Sequence, residues 1–535
     1  MWIASAARMK EIDRRATEEF GVSIAALMEQ AGRAVFDAMS ETLPPPARVA
    51  IFCGKGHNGG DGFAIARLAT LSGYEVEVLV AARESELAPA THQQYQMCRD
   101  YQVPVFFYDD PAWTLKSECV SCRDIVIDAV LGTGANGEVT GAALDAIIAM
   151  NQGGVPVISI DVPSGIHADT GEDLGESVWA MRTVTLGLPK PCFFQGIGLE
   201  HSGYWTVDSI GLPPGLLHES TGVKLVDPES VGNLIPERMK SSHKGDHGRV
   251  LIVAGCAAMP GAALLCAKGA VRSGAGLVTV AAIPSVCQTI ASALPEVTFL
   301  PLEEQDGAIS PASSAIILRE AHRFDSAIFG PGLSMTPGVG EFLGAVWADW
   351  DLPSCIDADA LNWVAKGITP PRYESIFTPH PGELSRLLRT TTAEIQGDRF
   401  GTVRRAVDEF QRAILLKGPF SIIGDRGLPL SANPTGNPGM ASAGMGDVLS
   451  GMIGTLLAQD LPPYLAGIIG SYWHGVAGDL CAEQIGLVGY RASEVAITIP
   501  AARAKITASC EAHSDSVYSG SRRLPFMPMP SPKSS

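Results

Sequence analysis

One pattern recurs along this chain: a short, almost wholly apolar run, a turn carrying glycine or aspartate, then a helical stretch. Strands that alternate apolar and polar residues can leave one face in water. Runs without alternation must be covered on both faces, the condition of a parallel sheet between two helical layers. RVAIFCG, YEVEVLVAA, VPVFFYD, DIVIDAVLG, VPVISIDVP and RTVTLGL form one series of such runs. GRVLIVAG, LVTVAAI, SAIFGPG, PSCIDADA, SIFTPHP and AILLKGP form a second. Parallel strands need crossover connections, so the fold class this dictates is α/β, as two three-layer domains.

The chain has 535 residues, more than one ordinary domain holds. The pattern breaks from Gly211 to Gly248, where GLPPGLLHESTGVKL and PERMKSSHKGDHG are rich in Pro, Gly and polar residues. The expected division is a domain over 1–220 and another over 225–510. The tail 515–535, ending PFMPMPSPKSS, is low in complexity and expected to be disordered.

Hydrophobic residues make up 46% and charged residues 18%, which supplies a full core to each domain. The net charge of -18 argues against nucleic-acid binding, which needs Lys and Arg to neutralise phosphates. No stretch reaches the roughly 18–20 apolar residues of a membrane helix, and the N-terminus lacks the apolar run of a signal peptide. The eleven cysteines are scattered, so reduced thiols in a cytoplasmic protein are expected. Cys119 and Cys122 form a C-x-x-C without a second ligand pair and read as ordinary thiols.

In the first half, RVAIFCG ends in GKGHNGGDG, Gly54 to Gly62, with a helix expected from Phe63 to about Leu71. Glycines at a strand–helix turn let backbone N–H groups approach a phosphate, although a tight structural turn needs glycine too. Three further strands end in DAVLGTGANGE, DVPSG and GLPKP. Ligands of open α/β sheets bind at such strand ends. Asn58, Asp61, Asp128, Asp161, Ser164 and Lys190 are therefore expected to converge. Buried carboxylates there need a partner, which Lys190, a cation or a ligand hydroxyl could be.

HNGGDG, DAVLGTG and DVPSG, in this order, resemble the YjeF N-terminal family, the NAD(P)H-hydrate epimerases. The resemblance covers residues 1 to about 215 and implies a Rossmann-like domain. It implies potassium on Asn58, Asp128 and Ser164. It implies substrate contacts at His57, Asn58, Gly59, Gly60 and Asp61, at Gly132, Thr133, Gly134, Ala135, Asn136, Gly137 and Glu138, and at Asp161. The family usually has Asn at the place of His57. Asp161 is the expected acid/base group, beside the C6 hydroxyl. Dehydration–rehydration and ring opening both remain open as routes of epimerisation.

In the second half, NPTGNPGMASAGMGDVLSGMIGTLLAQ carries the turn Gly444-Met445-Gly446 before Asp447, where an apolar helix starts. Backbone N–H groups and the helix dipole make such a turn an anion hole. Asp447 is placed as a general base, with an ordinary N-cap role as the bland alternative. GPGLS, DADALN, TPHPGE and LKGPFS end other strands.

Together with GAGLVTV and ALPEV, these motifs closely resemble the YjeF C-terminal family over about residues 225 to 510. Its members are ribokinase-like ADP- or ATP-dependent NAD(P)H-hydrate dehydratases. The resemblance implies hydrate contacts at Ala275, Gly332, His380 and Asp447. It implies an adenine nucleotide at Lys417, Gly418, Pro419, Phe420, Ser421 and Gly446, with ADP or ATP as donor and Mg2+ as the divalent cation. The family usually has Ser where Met445 stands. The implied function is repair of hydrated NADH and NADPH (NADHX and NADPHX): epimerisation of the R and S hydrates, then dehydration through a phosphorylated intermediate. A homo-oligomer is the expected assembly. The rivals are a small-molecule kinase, which shares the anion hole but stops at the phosphorylated alcohol, and a non-catalytic amino-terminal module.

Overall fold

The computed structural model of the protein describes residues 1–513 and 521–522. It divides into two compact units, one spanning residues 1–223 and one beginning at Lys224.

The first unit is built on β1 (Arg48–Cys53), β2 (Glu75–Val80), β3 (Val105–Phe107), β4 (Ile125–Ala129), β5 (Val157–Ile160), β6 (Arg182–Leu186) and β7 (Tyr204–Asp208). They lie in the order β7-β6-β5-β4-β1-β2-β3, every pair parallel. Val49, Ile51 and Cys53 enter one core with Phe63 and Ile65, while Ala50 and Phe52 enter another with Trp113, Ile147 and Met150. Two covered faces explain why β1 shows no alternation. Strand β7 was not among the expected runs. It lies outside β6, and only Trp205 of its five residues is buried, so its sequence lacks the apolar run of a central strand. Of the tail 515–535, only Ser521–Arg522 is described, paired antiparallel with β7, and the rest lies outside the described residues.

The strand order reverses between β1 and β4, so the turns leaving these two strands part there and open a crevice. The helix entering this crevice runs from His57 to Leu71, six residues earlier than the expected start at Phe63. Its glycines form a flat helix face rather than a loop. A Cβ on Gly59 would lie 1.9 Å from the Gly54 carbonyl oxygen, and one on Gly62 would lie 2.6 Å from Cys53 Sγ.

The second unit's sheet takes in β8 (Val223–Leu225), at the division, then β9 (Arg249–Val253), β10 (Leu277–Ala282) and β11 (Thr298–Pro301). After a small hairpin of β12 (Glu304–Gln305) and β13 (Ala308–Ile309) come β14 (Ser326–Phe329), β15 (Ser354–Ile356), β16 (Ser375–Phe377) and β17 (Ala413–Leu416). Then follow β18 (Ile422–Gly424) and β19 (Leu430–Ala432). The order is β11-β10-β9-β14-β15-β16-β17-β18-β19-β8, parallel from β11 to β17 and antiparallel from β17 through β19. The antiparallel strands have three residues each, too few to show a period in the sequence. The helix Met445–Ala458 packs on the sheet, where a Cβ on Gly454 would lie 2.4 Å from Ile328 Cδ1. Among the described residues no helix is long and apolar enough to cross a membrane.

Candidate functional sites

At the crevice of the first unit, the turns after β1, β4 and β5 are tied to one another. Asn58 Nδ2 donates to the Leu131 carbonyl (2.8 Å), and Leu131 N–H donates to Ser164 Oγ (2.8 Å). Asp128, at the end of β4, is fully buried and accepts from Ser159 Oγ (2.8 Å), Ser164 N–H (2.8 Å) and Ser164 Oγ (2.5 Å). Burial raises its carboxyl against these donors. Asn58 is thus joined through Leu131 to Ser164, and Ser164 to Asp128, with no cationic side chain among their hydrogen-bond partners in the described residues.

Beside this cluster opens a cleft of about 1360 Å³, lined by His57, Asp61, Gly132 to Asn136, Asp161 and Lys190. Gly59 and Gly60 do not line it: they face Gly54 and Met28. Gly137 and Glu138 also lie off its lining. Asp161 holds φ at 66°, a conformation Asp tolerates better than most residues. Its Oδ1 accepts from Leu186 N–H (3.1 Å), Thr185 Oγ1 (3.2 Å) and the Lys190 ammonium. Lys190 is 1% exposed and also donates to Leu186 O (2.7 Å) and Thr185 Oγ1 (3.0 Å). Asp61 is buried, and desolvation, then the charges of Asp161 and Asp13, push its carboxyl well up. Asp13, which sequence reading missed, also lines the cleft. It stands on the helix Ala6–Phe20, whose Met9, Ile12 and Ala16 are buried.

The second site lies at the carboxyl ends of β15 to β17. Lys417 Nζ is 2.7 Å from Asp357 Oδ1 and 3.8 Å from Glu383 Oε2. Ser450 Oγ donates to Asp357 Oδ2 (2.5 Å). A Cβ on Gly446 would lie 3.2 Å from Lys417 Nζ, so the ammonium stands over the first turn of the helix Met445–Ala458. Gly444, with φ 89°, is the N-cap, and Asp447 is the third helical residue. Asp447 is therefore not the N-cap, and among the described residues no hydrogen bond commits its carboxylate. Desolvation, then Asp357, Asp359 and Glu383, push it up to about 7 against the pull of Lys417.

Other expected residues gather here in part. His380 caps the helix Pro381–Leu388, its Nδ1 accepting from Gly382 N–H (3.0 Å), and burial holds its ring below the usual range. The Gly330–Gly332 turn abuts Asp357, since a Cβ on Gly330 would lie 1.8 Å from the Asp357 carbonyl oxygen. Gly418 and Phe420 take positive φ (134° and 48°), which shapes the Lys417–Ser421 turn. Ala275 is not brought to the site. Its neighbour Gly274 accepts from Gln459 Nε2 (3.4 Å), just past the far end of the helix Met445–Ala458. A helix of that length holds its ends about 20 Å apart.

The model of the YjeF-related protein N-terminus matches residues 24–192, and that of NAD(P)H-hydrate dehydratase matches residues 250–501. The bifunctional NAD(P)H-hydrate repair enzyme Nnr of Coxiella burnetii is 36% identical over 489 residues, 91% of this chain and 96% of that protein. The chain belongs to the bifunctional NAD(P)H-hydrate repair enzymes. Within this family, Nnr of Escherichia coli is 32% identical over 500 residues, 93% of each chain. Among solved structures, the ADP/ATP-dependent NAD(P)H-hydrate dehydratase of Bacillus subtilis, co-crystallised with ATP/Mg2+, is 30% identical with a TM-score of 0.47. It covers 54% of this chain and 100% of that one.

As an NAD(P)H-hydrate repair enzyme, the chain carries its YjeF-related half in the first unit and its dehydratase half in the second. Asp13 lies ahead of the residues matched to the YjeF-related model. Its only signal in the sequence is the stripe Met9, Ile12, Ala16, which fixes a helix and places Asp13 beside the buried face.

Proposed function

We propose that the first unit interconverts the R and S hydrates at C6 and that the second dehydrates the S hydrate at the expense of ADP or ATP. The observation that carries this reading is Asp447: a carboxylate held at about 7, uncommitted to capping, in the first turn of a glycine-led helix beside Lys417. Such a group can take a proton near neutral pH.

In the second unit, Asp447 removes the C6 hydroxyl proton as that oxygen attacks the terminal phosphoryl group. AMP leaves from ADP, or ADP from ATP. The ring nitrogen's lone pair then expels phosphate, and loss of a proton from C5 restores the dihydronicotinamide. Backbone N–H groups at the start of the helix Met445–Ala458 and the Lys417 ammonium face the anionic charge. Mg2+, when bound, neutralises charge on the transferring phosphoryl. Asp357 and Glu383 already flank Lys417, and the described residues offer no cluster of three His, Cys, Asp or Glu, so nucleotide phosphates would supply much of its coordination.

In the first unit, Asp161 acts as acid/base at C6, with Lys190 and Thr185 fixing its carboxylate. Asn58, Asp128 and Ser164 would hold potassium, a hard cation that takes oxygen ligands, beside the buried Asp128 carboxylate, which has no cationic side-chain partner among the described residues. Its charge would offset that burial. Ten cysteines of the described residues are free thiols, which suits the cytoplasm, and a homo-oligomer is the proposed assembly.

The test is incubation with mixed R and S hydrates, with ADP, with ATP or with neither, following the return of dihydronicotinamide absorbance. Complete conversion of both epimers with a nucleotide supports the reading. Accumulation of a phosphorylated alcohol without that absorbance makes the second unit a kinase. Repair of the S epimer alone removes the first activity.

A further inference from the structure

Moving a hydroxyl from one face of a ring carbon to the other by loss and return of water needs a proton donor on one face and an acceptor on the other. Asp161, with Lys190, stands on the wall made by the ends of β5 and β6. A second wall of the same cleft is the helix Ala6–Phe20, which contributes Met9, Lys10, Asp13 and Thr17 to the lining. This helix is fixed from several sides. Ser5 Oγ caps it, Met9, Ile12 and Ala16 are buried, and Ala6 N–H donates to Asp169 Oδ1 (2.7 Å). Glu18 also lines the cleft but is taken up by Arg14 of the same helix. Asp13 has no ion pair among the described residues, and water in the cleft reaches it.

We propose that Asp13 is a second catalytic carboxyl of the epimerase, serving the ring face turned away from Asp161. In its acid form Asp13 gives a proton to the C6 hydroxyl of one epimer. The C6–O bond breaks and water leaves, while the ring nitrogen's lone pair forms the N1–C6 double bond. A water molecule then adds to C6 from the other face and gives its proton to the Asp161 carboxylate. For the opposite epimer the two carboxyls exchange roles, and the cleft water returns the proton between turnovers.

The surroundings suit Asp13 to hold a proton near neutrality. Partial desolvation pushes it up to about 6; Lys190 opposes this and the charge of Asp161 adds to it. The charged and titratable groups that share the cleft with it are Lys190, Asp161 and Asp61, with Lys10 and Arg14 on its own helix. This inference rests on the epimerase reading of the first unit.

The test uses the full chain and Asp13→Asn. The expected result is a kcat for epimerisation lowered by about 10²–10⁴-fold, the usual worth of a positioned acid. KM should change less than threefold, and dehydration of S hydrate should persist. Epimerisation by the unaltered chain should fall as pH rises through about 6. Asp13→Asn should lose that limb and Asp13→Glu should restore part of the rate. In 18O-water each epimerisation should place one solvent oxygen on C6. Full epimerisation by Asp13→Asn, a defect confined to KM, or no 18O uptake overturns the proposal while leaving the epimerase reading intact. No epimerisation by the unaltered chain overturns both.

Discussion

Lys417 keeps its ammonium 2.7 Å from the Asp357 carboxylate, which is 1% exposed. The Lys417 side chain is 18% exposed, and among the described residues the Asp357 carboxylate receives one further donor, Ser450 Oγ. Breaking such a pair by removing one partner leaves an uncompensated buried charge, which costs about 3–5 kcal/mol. Lys417→Ala should therefore lower the unfolding free energy of the second unit by that amount, read by calorimetry, and abolish dehydration. Lys417→Met combined with Asp357→Leu should recover most of the stability and none of the activity. An unshifted transition in Lys417→Ala would show that Asp357 relaxes onto other donors.

The two chemistries should separate by mutation. Asp447→Asn keeps the side chain's shape and removes the base, so dehydration should fall by about 10²–10⁴-fold while epimerisation continues. Asp161→Asn should do the reverse. Asn adopts positive φ readily, so the backbone at φ 66° is kept. S hydrate is then repaired at the normal rate, and R hydrate only as fast as it epimerises unaided. Equal loss of both reactions in either variant would refute the assignment.

The strands carrying these sites were legible in the sequence because each is buried on both faces and so apolar throughout, as Ile125–Ala129 and Ala413–Leu416 are. The turns after them were legible because they carry Asp, Lys or His in an apolar setting. What did not show has physical causes. His57–Gly62 reads as a loop because glycine is a poor helix former, yet it is helical because only glycine lets the helix approach Gly54 and Cys53 so closely. Asp13 sits among polar residues of its helix that read in the sequence as a solvated face, and only the tertiary placement turns Lys10, Asp13 and Thr17 into the cleft. Ala275 belongs to a recognisable motif, but the helix Met445–Ala458 separates it from Asp447 within the chain.

The acid limb of dehydration should report Asp447. Desolvation and neighbouring carboxylates hold it at about 7, above its ordinary 3.8. The base form is the active one, so kcat/KM should rise with pH to a plateau above about 7. Stability runs the other way. With the folded pKa raised, this carboxyl's contribution is fully present below about 3.8 and is lost as pH rises through about 7. Glu383 is also pushed up to about 7, so the two must be told apart. Glu383→Gln should keep the limb in kcat/KM, and Asp447→Asn should lose it. A limb that survives in Asp447→Asn would assign it to another group.

Met445 stands where the resemblance read from the sequence implies Ser. A hydroxyl needed for phosphoryl transfer would make this chain a poor dehydratase. The structure argues for a backbone role. Gly444 takes φ 89°, so the helix opens at Met445 and its first N–H groups, which have no intrahelical acceptor, belong to Met445, Gly446 and Asp447. A non-proline residue supplies that N–H equally well. The Met445 side chain is 6% exposed, so its thioether is part of the packing rather than a group in the anion hole. Met445→Ser should therefore change the dehydration rate by less than about tenfold, a barrier change below roughly 1.4 kcal/mol. It should also lower the melting transition of the second unit, because a buried apolar side chain is lost; large-to-small core changes of this kind cost about 2–5 kcal/mol. A rate gain well above tenfold with unchanged stability would mean that the hydroxyl acts on the phosphoryl group and that Met445 occupies solvent space in the hole.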